Sequence, residues 1–227
     1  MSGTNKSADV GLPEVMTVAQ IRAAEARTMA HTPEAALMDR AAHGLAAACA
    51  GLLERRDIDV SGAQIVVLAG TGNNGGDALL AGARLAELGA VVTAIGVGAT
   101  AHQRGLATAR AAGVSWCHAD SPPGLATALE TVTAAAMVID GIAGIGSSPG
   151  LRAPADRIVE AIPPRAIVVA VDVPSGFDAD SGQVPKTHVE ADLTVTFTAR
   201  KPCLVEPEAS HYAGEIVVVD VGVSLDR

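Results

Sequence analysis

Apolar positions recur along this chain with two different periods. Leu37, Ala41, Leu45 and Ala48 repeat at helical spacing, and Pro33 suits a first turn, so a helix is predicted from Pro33 to about Arg55. Before it, Thr17-Val18-Ala19-Gln20 has the form of a capping box that opens a helix to about His31. From Gln64 the pattern changes. Ile65-Val66-Val67-Leu68 is a short unbroken apolar run, as expected for a strand buried on both faces. A glycine-rich turn follows, then a helix over 76–88 and a strand over 91–96. Further helices are predicted over 100–112, less markedly over 121–134, and over 154–162. Strands are predicted over 137–140, 166–172, 193–197 and 216–219. Alternation at this spacing predicts a three-layer α/β/α, Rossmann-like domain with a mostly parallel sheet, preceded by two helices.

Composition narrows this picture. The 227 residues suit one domain, expected to span 13–227, with residues 1–12 as a polar, disordered tail. Apolar residues make up 49% of the chain, while Trp116, Phe177, Phe197 and Tyr212 are its only aromatic side chains, so Ala, Val, Leu and Ile must build the core. The net charge is −9 and no Lys/Arg run occurs, which argues against a nucleic-acid partner. No apolar run is long enough to span a membrane. Cys49, Cys117 and Cys203 are far apart and odd in number, as in a reducing, cytoplasmic setting rather than a disulfide or zinc framework.

In open parallel sheets ligands bind beyond the carboxyl ends of the strands. Three loops there carry the candidate chemistry. The first, Gly70-Thr71-Gly72-Asn73-Asn74-Gly75-Gly76-Asp77, satisfies Gly-x-Gly-x-x-Gly between a strand and a helix. Its glycines would let the backbone approach a diphosphate at the helix N-terminus. The following strand lacks the acidic tip that a dehydrogenase uses on the ribose, which weakens that reading. The second loop runs from Asp140 through Gly141-Ile142-Ala143-Gly144-Ile145-Gly146-Ser147-Ser148-Pro149-Gly150. The third is Asp172-Val173-Pro174-Ser175-Gly176. Asp140 and Asp172 each end a strand, so two carboxylates are expected at one cleft. One would be held by a cation and the other would transfer protons. Asn74, Asp140 and Ser175 offer oxygen alone, which suits a hard cation. None of the six histidines falls in these loops, so Asp172 is the candidate acid–base group. The alternative is that Asp172 caps its own loop through the Ser175 and Gly176 amides. Lys201 is expected to be exposed, with lining of the cleft as the other reading.

Taken together, the loops resemble the NAD(P)H-hydrate epimerase family, whose pattern runs Gly-x-Gly-Asn-Asn-Gly-Gly-Asp-Gly, Asp-Ala-Leu-Phe-Gly-x-Gly and Asp-x-Pro-Ser-Gly. The resemblance extends from Leu37-Met38-Asp39-Arg40 to Gly214-Glu215-Ile216. It implies interconversion of the R and S forms of hydrated NADH and NADPH. It assigns substrate binding to Asn73, Asn74, Gly75, Gly76, Asp77, Gly144, Ile145, Gly146, Ser147, Ser148, Pro149, Gly150 and Asp172. It also implies one potassium ion per subunit on Asn74, Asp140 and Ser175, a homodimer, and an S-specific dehydratase as functional partner. Many members carry that dehydratase fused after this domain, and the chain ends about where it would begin. Two departures stand out: Ala78 replaces the last glycine of the first motif, and Gly141-Ile142-Ala143 replaces Ala-Leu-Phe. Loss of the phenylalanine keeps open a second reading, a non-catalytic binding module of the same fold.

Overall fold

A computed structural model of the chain describes residues 15–146 and 148–225. The expected tail at 1–12 and Ser147 lie outside the described residues. Helix α1 (Val18–Met29) starts on the capping box: Thr17 accepts from the Gln20 amide and the Gln20 side chain accepts from the Thr17 amide. Its free N-terminal end is tied down by Asp180, which accepts from the Val18 amide at 2.8 Å. Helix α2 (Glu34–Arg55) buries the stripe Leu37, Ala41, Leu45, Cys49 and Leu52, one side chain per turn. Pro33 sits at the N-cap rather than inside the first turn.

Among the described residues, seven strands form one sheet in the order β3-β2-β1-β4-β5-β6-β7, and every neighbouring pair is parallel. They are β1 (Gln64–Ala69), β2 (Val91–Gly96), β3 (Ser115–His118), β4 (Met137–Gly141), β5 (Ile167–Val171), β6 (Leu193–Phe197) and β7 (Glu215–Val219). Strand β3 is absent from the sequence expectation. It is four residues long, lies at the sheet edge and is only half-buried, so it carries no apolar run to betray it. The crossovers are α3 (Asn73–Glu87), α4 (Gln103–Ala111), α5 (Pro122–Thr133) and α6 (Ala155–Glu160).

The period of two along each strand sorts the core into layers. Ile65, Val67 and Ala69 of β1 face α2 and α3, with Met137, Val169 and Val195 from neighbouring strands. Val66 and Leu68 face the other way, onto Ala128 and Val132 of α5 and Ile158 of α6. Beyond β5, Val173, Phe177, Cys203 and Leu204 form a cluster of their own, built from loops and two short 3-10 helices, Pro202–Leu204 and Ala209–Tyr212.

Strand order reverses between β1 and β4, so the loops after these strands part there and leave a crevice. Backbones approach closely at this point. Helix α3 begins at Asn73, three residues before the expected start, which puts the Asn-Asn-Gly-Gly segment in its first turn. A Cβ on Gly75 would strike the backbone of Gly70, and one on Gly70 would strike the Ile142 carbonyl. A Cβ on Gly141 would stand 2.5 Å from the Ala78 methyl. The two departures from the family pattern therefore touch each other. Where the pattern has Gly and Ala, this chain has Ala78 and Gly141, and a single methyl has moved across one contact.

Gly141→Ala should accordingly overpack the junction and cost about 1–3 kcal/mol. Adding Ala78→Gly should recover much of that loss, with a coupling on the order of 1 kcal/mol in a double-mutant cycle by urea unfolding. Strict additivity would show that the two positions do not compensate each other.

Candidate active site

The ends of β1, β4, β5 and β6 bring the site together. Asp140, at the end of β4, is fully buried. Its Oδ1 accepts from the Ser175 hydroxyl at 2.6 Å and the Ile142 amide at 3.2 Å, and its Oδ2 accepts from the Ser175 amide at 2.8 Å. Burial pushes the carboxyl up to about 6, against these hydrogen bonds, which pull it down. Asn74 reaches across from α3 and donates through Nδ2 to the carbonyls of Ala143 at 3.0 Å and Val171 at 2.7 Å. Ser175 Oγ accepts from the Ala143 amide at 2.9 Å. The proposed cation ligands thus converge, and the backbone of Ala143 joins them. Since the contacts at 143 are made by main-chain atoms, replacing phenylalanine there leaves them intact.

Asp172 follows β5 in the left-handed region, with φ of 70°, and is 5% exposed. It does not cap its own loop, because the Ser175 amide is committed to Asp140. Instead Oδ1 accepts from Lys201 Nζ, from Thr196 Oγ1 at 3.2 Å and from the Phe197 amide at 3.4 Å. The described hydrogen bonds all fall on this one oxygen. Lys201 is the largest correction to the sequence reading: it is 1% exposed, not exposed. Its ammonium also donates to Thr196 Oγ1 at 2.8 Å and the Phe197 carbonyl at 2.9 Å, so its three protons are used. Strands β5 and β6 are parallel neighbours, which is why their ends place these charges side by side.

Asp172 and Lys201 line a cavity of about 250 Å³ between α1, α2, the start of α3 and the chain after β7. Glu25, Glu34 and Asp77 line it too, with apolar walls from Ile21, Met38, Phe197 and Val221. Asp77 is 6% exposed, and its Oδ1 has no hydrogen-bond partner among the described residues. Burial, then the charges of Asp172, Glu25 and Glu34, push its carboxyl well above the usual range. Asn73, Asn74 and Ile145 also face this cavity, and Asn73 donates to Glu34 at 2.7 Å. Gly146, Ser148 and Gly150 belong to a second, more open cavity of about 460 Å³, with Gly70, Thr71 and Arg152. The expected substrate residues are therefore divided between two chambers. Gly75, Gly76, Gly144 and Pro149 line neither chamber. Gly75 and Gly76 are buried, and a Cβ on Gly76 would strike Met38 and His102. Their smallness serves the packing of α3, so any contribution to a ligand comes from the first-turn amides.

Residues of α1 are the part of the site that motifs do not announce. Ile21, Glu25 and Met29 recur every fourth residue and face the cavity together. A glutamate on that stripe is the signal that sequence reading passed over.

The family model of the YjeF-related protein N-terminus matches residues 34–203. The chain belongs to this family. It is 43% identical over 216 residues to the NAD(P)H-hydrate epimerase of Clavibacter michiganensis subsp. michiganensis, covering 91% of this chain and 90% of that protein. It is 39% identical over 212 residues to the bifunctional NAD(P)H-hydrate repair enzyme Nnr of Mycobacterium tuberculosis, covering 92% of this chain and 41% of the longer protein. The yeast protein ynu0 shares the fold, with a TM-score of 0.73 over 94% of this chain and 90% of its own at 22% identity.

Lys201→Met should leave Asp172 as an uncompensated buried charge and cost about 3–5 kcal/mol. Asp172→Asn in the same chain should recover a large part of that loss. Equal stability of the single and double variants in chemical denaturation would show that the pair is not a coupled unit.

Proposed function

We propose that this chain interconverts the R and S epimers of hydrated NADH and NADPH. The observation that carries the reading is the buried Asp172–Lys201 pair facing a carboxylate-lined cavity, in a chain whose 43%-identical relative is named NAD(P)H-hydrate epimerase. A cavity of about 250 Å³ has room for a substituted six-membered ring but not for a whole dinucleotide. Electrostatics decides which end enters. A diphosphate gains nothing from the carboxyl groups of Glu25, Glu34, Asp77 and Asp172, and suits the glycine-rich chamber beside Arg152. The ring end, which is uncharged, belongs among the carboxylates.

The chemistry explains why negative charge is useful there. At the hydrated carbon, next to the ring nitrogen, the C–O bond breaks as the nitrogen lone pair forms a C=N bond. The hydroxyl takes a proton and departs as water. The ring is then a cation, and water adds to its other face and gives up a proton. Carboxylates around a ring that becomes positive only during reaction stabilise the transition state more than the ground state. Asp172, held through Oδ1 by Lys201, is the base that receives the proton from the returning water. Lys201 is a positioning residue, since its protons are spent on Asp172, Thr196 and Phe197.

The oxygen donors of Asn74, Asp140 and Ser175 fit a potassium ion, and a buried carboxyl pushed up to about 6 is what a cation would favour in its ionised form. When bound, the ion supplies fixed positive charge that ties the ends of three strands together. A dehydratase that consumes the S epimer is the functional partner that the family resemblance implies, and a relative named bifunctional NAD(P)H-hydrate repair enzyme supports a second repair activity beside this one. Among the described residues, no helix is long and apolar enough to cross a membrane. We place the protein in a reducing, cytoplasmic setting, on its free cysteines.

Separated R or S hydrated NADPH, incubated with the protein and resolved by chromatography, should relax to the epimer equilibrium faster than the spontaneous rate. Asp172→Asn should slow this by roughly 10²- to 10⁴-fold while still binding NADPH. Near wild-type relaxation in that variant would remove Asp172 from the chemistry. Potassium should raise the melting temperature more than lithium at equal ionic strength, and Asp140→Asn should erase the difference. An identical response to both salts in the wild type would count against the cation site.

A further inference from the structure

We infer that Glu25 of α1 is a second catalytic residue, the acid that protonates the departing hydroxyl in the cavity it shares with Asp172. The inference rests on the epimerase reading and adds a group that lies before the segment matched by the family model. Epimerisation needs proton transfer at two faces of the ring. A single carboxylate fixed by Lys201 serves one of them. Helix α1 forms another wall of the cavity, and Glu25 is its carboxyl group there.

The wall is firmly placed. Met16 donates to the Arg200 carbonyl at 2.9 Å, one residue before Lys201, and Asp180 caps the Val18 amide. Ile21 and Ala24, each 1% exposed, seat the helix on the core, so Glu25 is aimed by its neighbours on the same stripe. Glu25 itself is half-buried and makes no hydrogen bond among the described residues, so its carboxyl remains available to a ligand. Asp77 is a poorer candidate because it is walled in at 6% exposure, whereas Glu25 can exchange its proton with solvent.

Charge supports the same division of roles. Burial, then the negative charge of Asp172, raise the Glu25 carboxyl above its ordinary range; Lys201 and Arg22 oppose the shift and Glu34 adds to it. Asp77 faces the same space and is also raised, with Glu25 among its causes. Two carboxyls in unlike surroundings, one paired with a lysine and one not, are the arrangement that separates acid from base. In the forward direction the C–O bond breaks as Glu25 gives its proton to the hydroxyl, and water adds as Asp172 takes one. In the reverse direction the roles exchange, and before a second forward turnover Asp172 gives up its proton and Glu25 regains one by exchange with solvent through the cavity. The acid form of Glu25 is required, so turnover should fall as pH rises through its titration.

The test measures epimer relaxation for wild type, Glu25→Gln and Glu25→Ala, each checked for NADPH binding by calorimetry. Glu25→Gln should lose roughly 10²- to 10⁴-fold in turnover with little change in KM, and should lose the alkaline limb of the pH profile. Formate should restore part of the rate in Glu25→Ala, a response that a purely structural role would not give. Wild-type relaxation retained within about threefold in Glu25→Gln, a scale far below what general acid catalysis contributes, would overturn the inference while leaving the epimerase reading intact. No relaxation by the wild type would overturn both.

Discussion

A lysine ammonium and an aspartate carboxylate, both removed from water, are the interaction on which the site depends. Neither charge is tolerable there alone. Lys201 satisfies its protons with Asp172, Thr196 and the Phe197 carbonyl, and Asp172 gathers its hydrogen bonds on one oxygen. That geometry requires β5 and β6 to be parallel neighbours, with β6 running two residues past the partner of Val171. It also requires Asp172 to adopt a left-handed backbone, a conformation that aspartate accepts more readily than most residues. The sheet order, the strand ends and the local strain serve one carboxylate.

The surroundings of that carboxylate determine what it can do. Glu25, Glu34 and Asp77 add further carboxyl groups to a cavity whose cationic lining residues are Lys201 and Arg22. Such a chamber binds anions poorly and discriminates strongly in favour of positive charge that appears during a reaction. The glycine-rich chamber next door lacks those carboxylates and carries Arg152. An elongated ligand with a phosphate middle and an uncharged ring end is matched by this asymmetry, and the first turn of α3 lies at the boundary.

Much of this was legible in the sequence. The capping box at Thr17, the apolar stripe of α2 and the short Val/Ile runs predict the layers, because each element's period is set by which faces it buries. The motif loops predict Asn74, Asp140 and Ser175 as a cluster, and the structure joins them through the Ala143 backbone. What remained hidden depends on tertiary placement. Strand β3 buries too little to show a pattern. Lys201 reads as a surface residue until the ends of β5 and β6 are set side by side. Glu25 reads as one more polar position on a helix until α1 is laid over the cavity. The glycines at 75 and 76 also have a packing reason that the motif alone does not show, since a Cβ at either would strike neighbouring atoms. The Ala78–Gly141 exchange is likewise invisible as a pair until the contact is seen.

The most direct measurement of the account is a crystal structure of the protein with NADPH bound. The nicotinamide ring should lie in the cavity between Asp172 and Glu25, with the diphosphate over Gly146, Ser148 and Gly150. A diphosphate seated among Glu25, Asp77 and Asp172, or a ring lying outside that cavity, would contradict it.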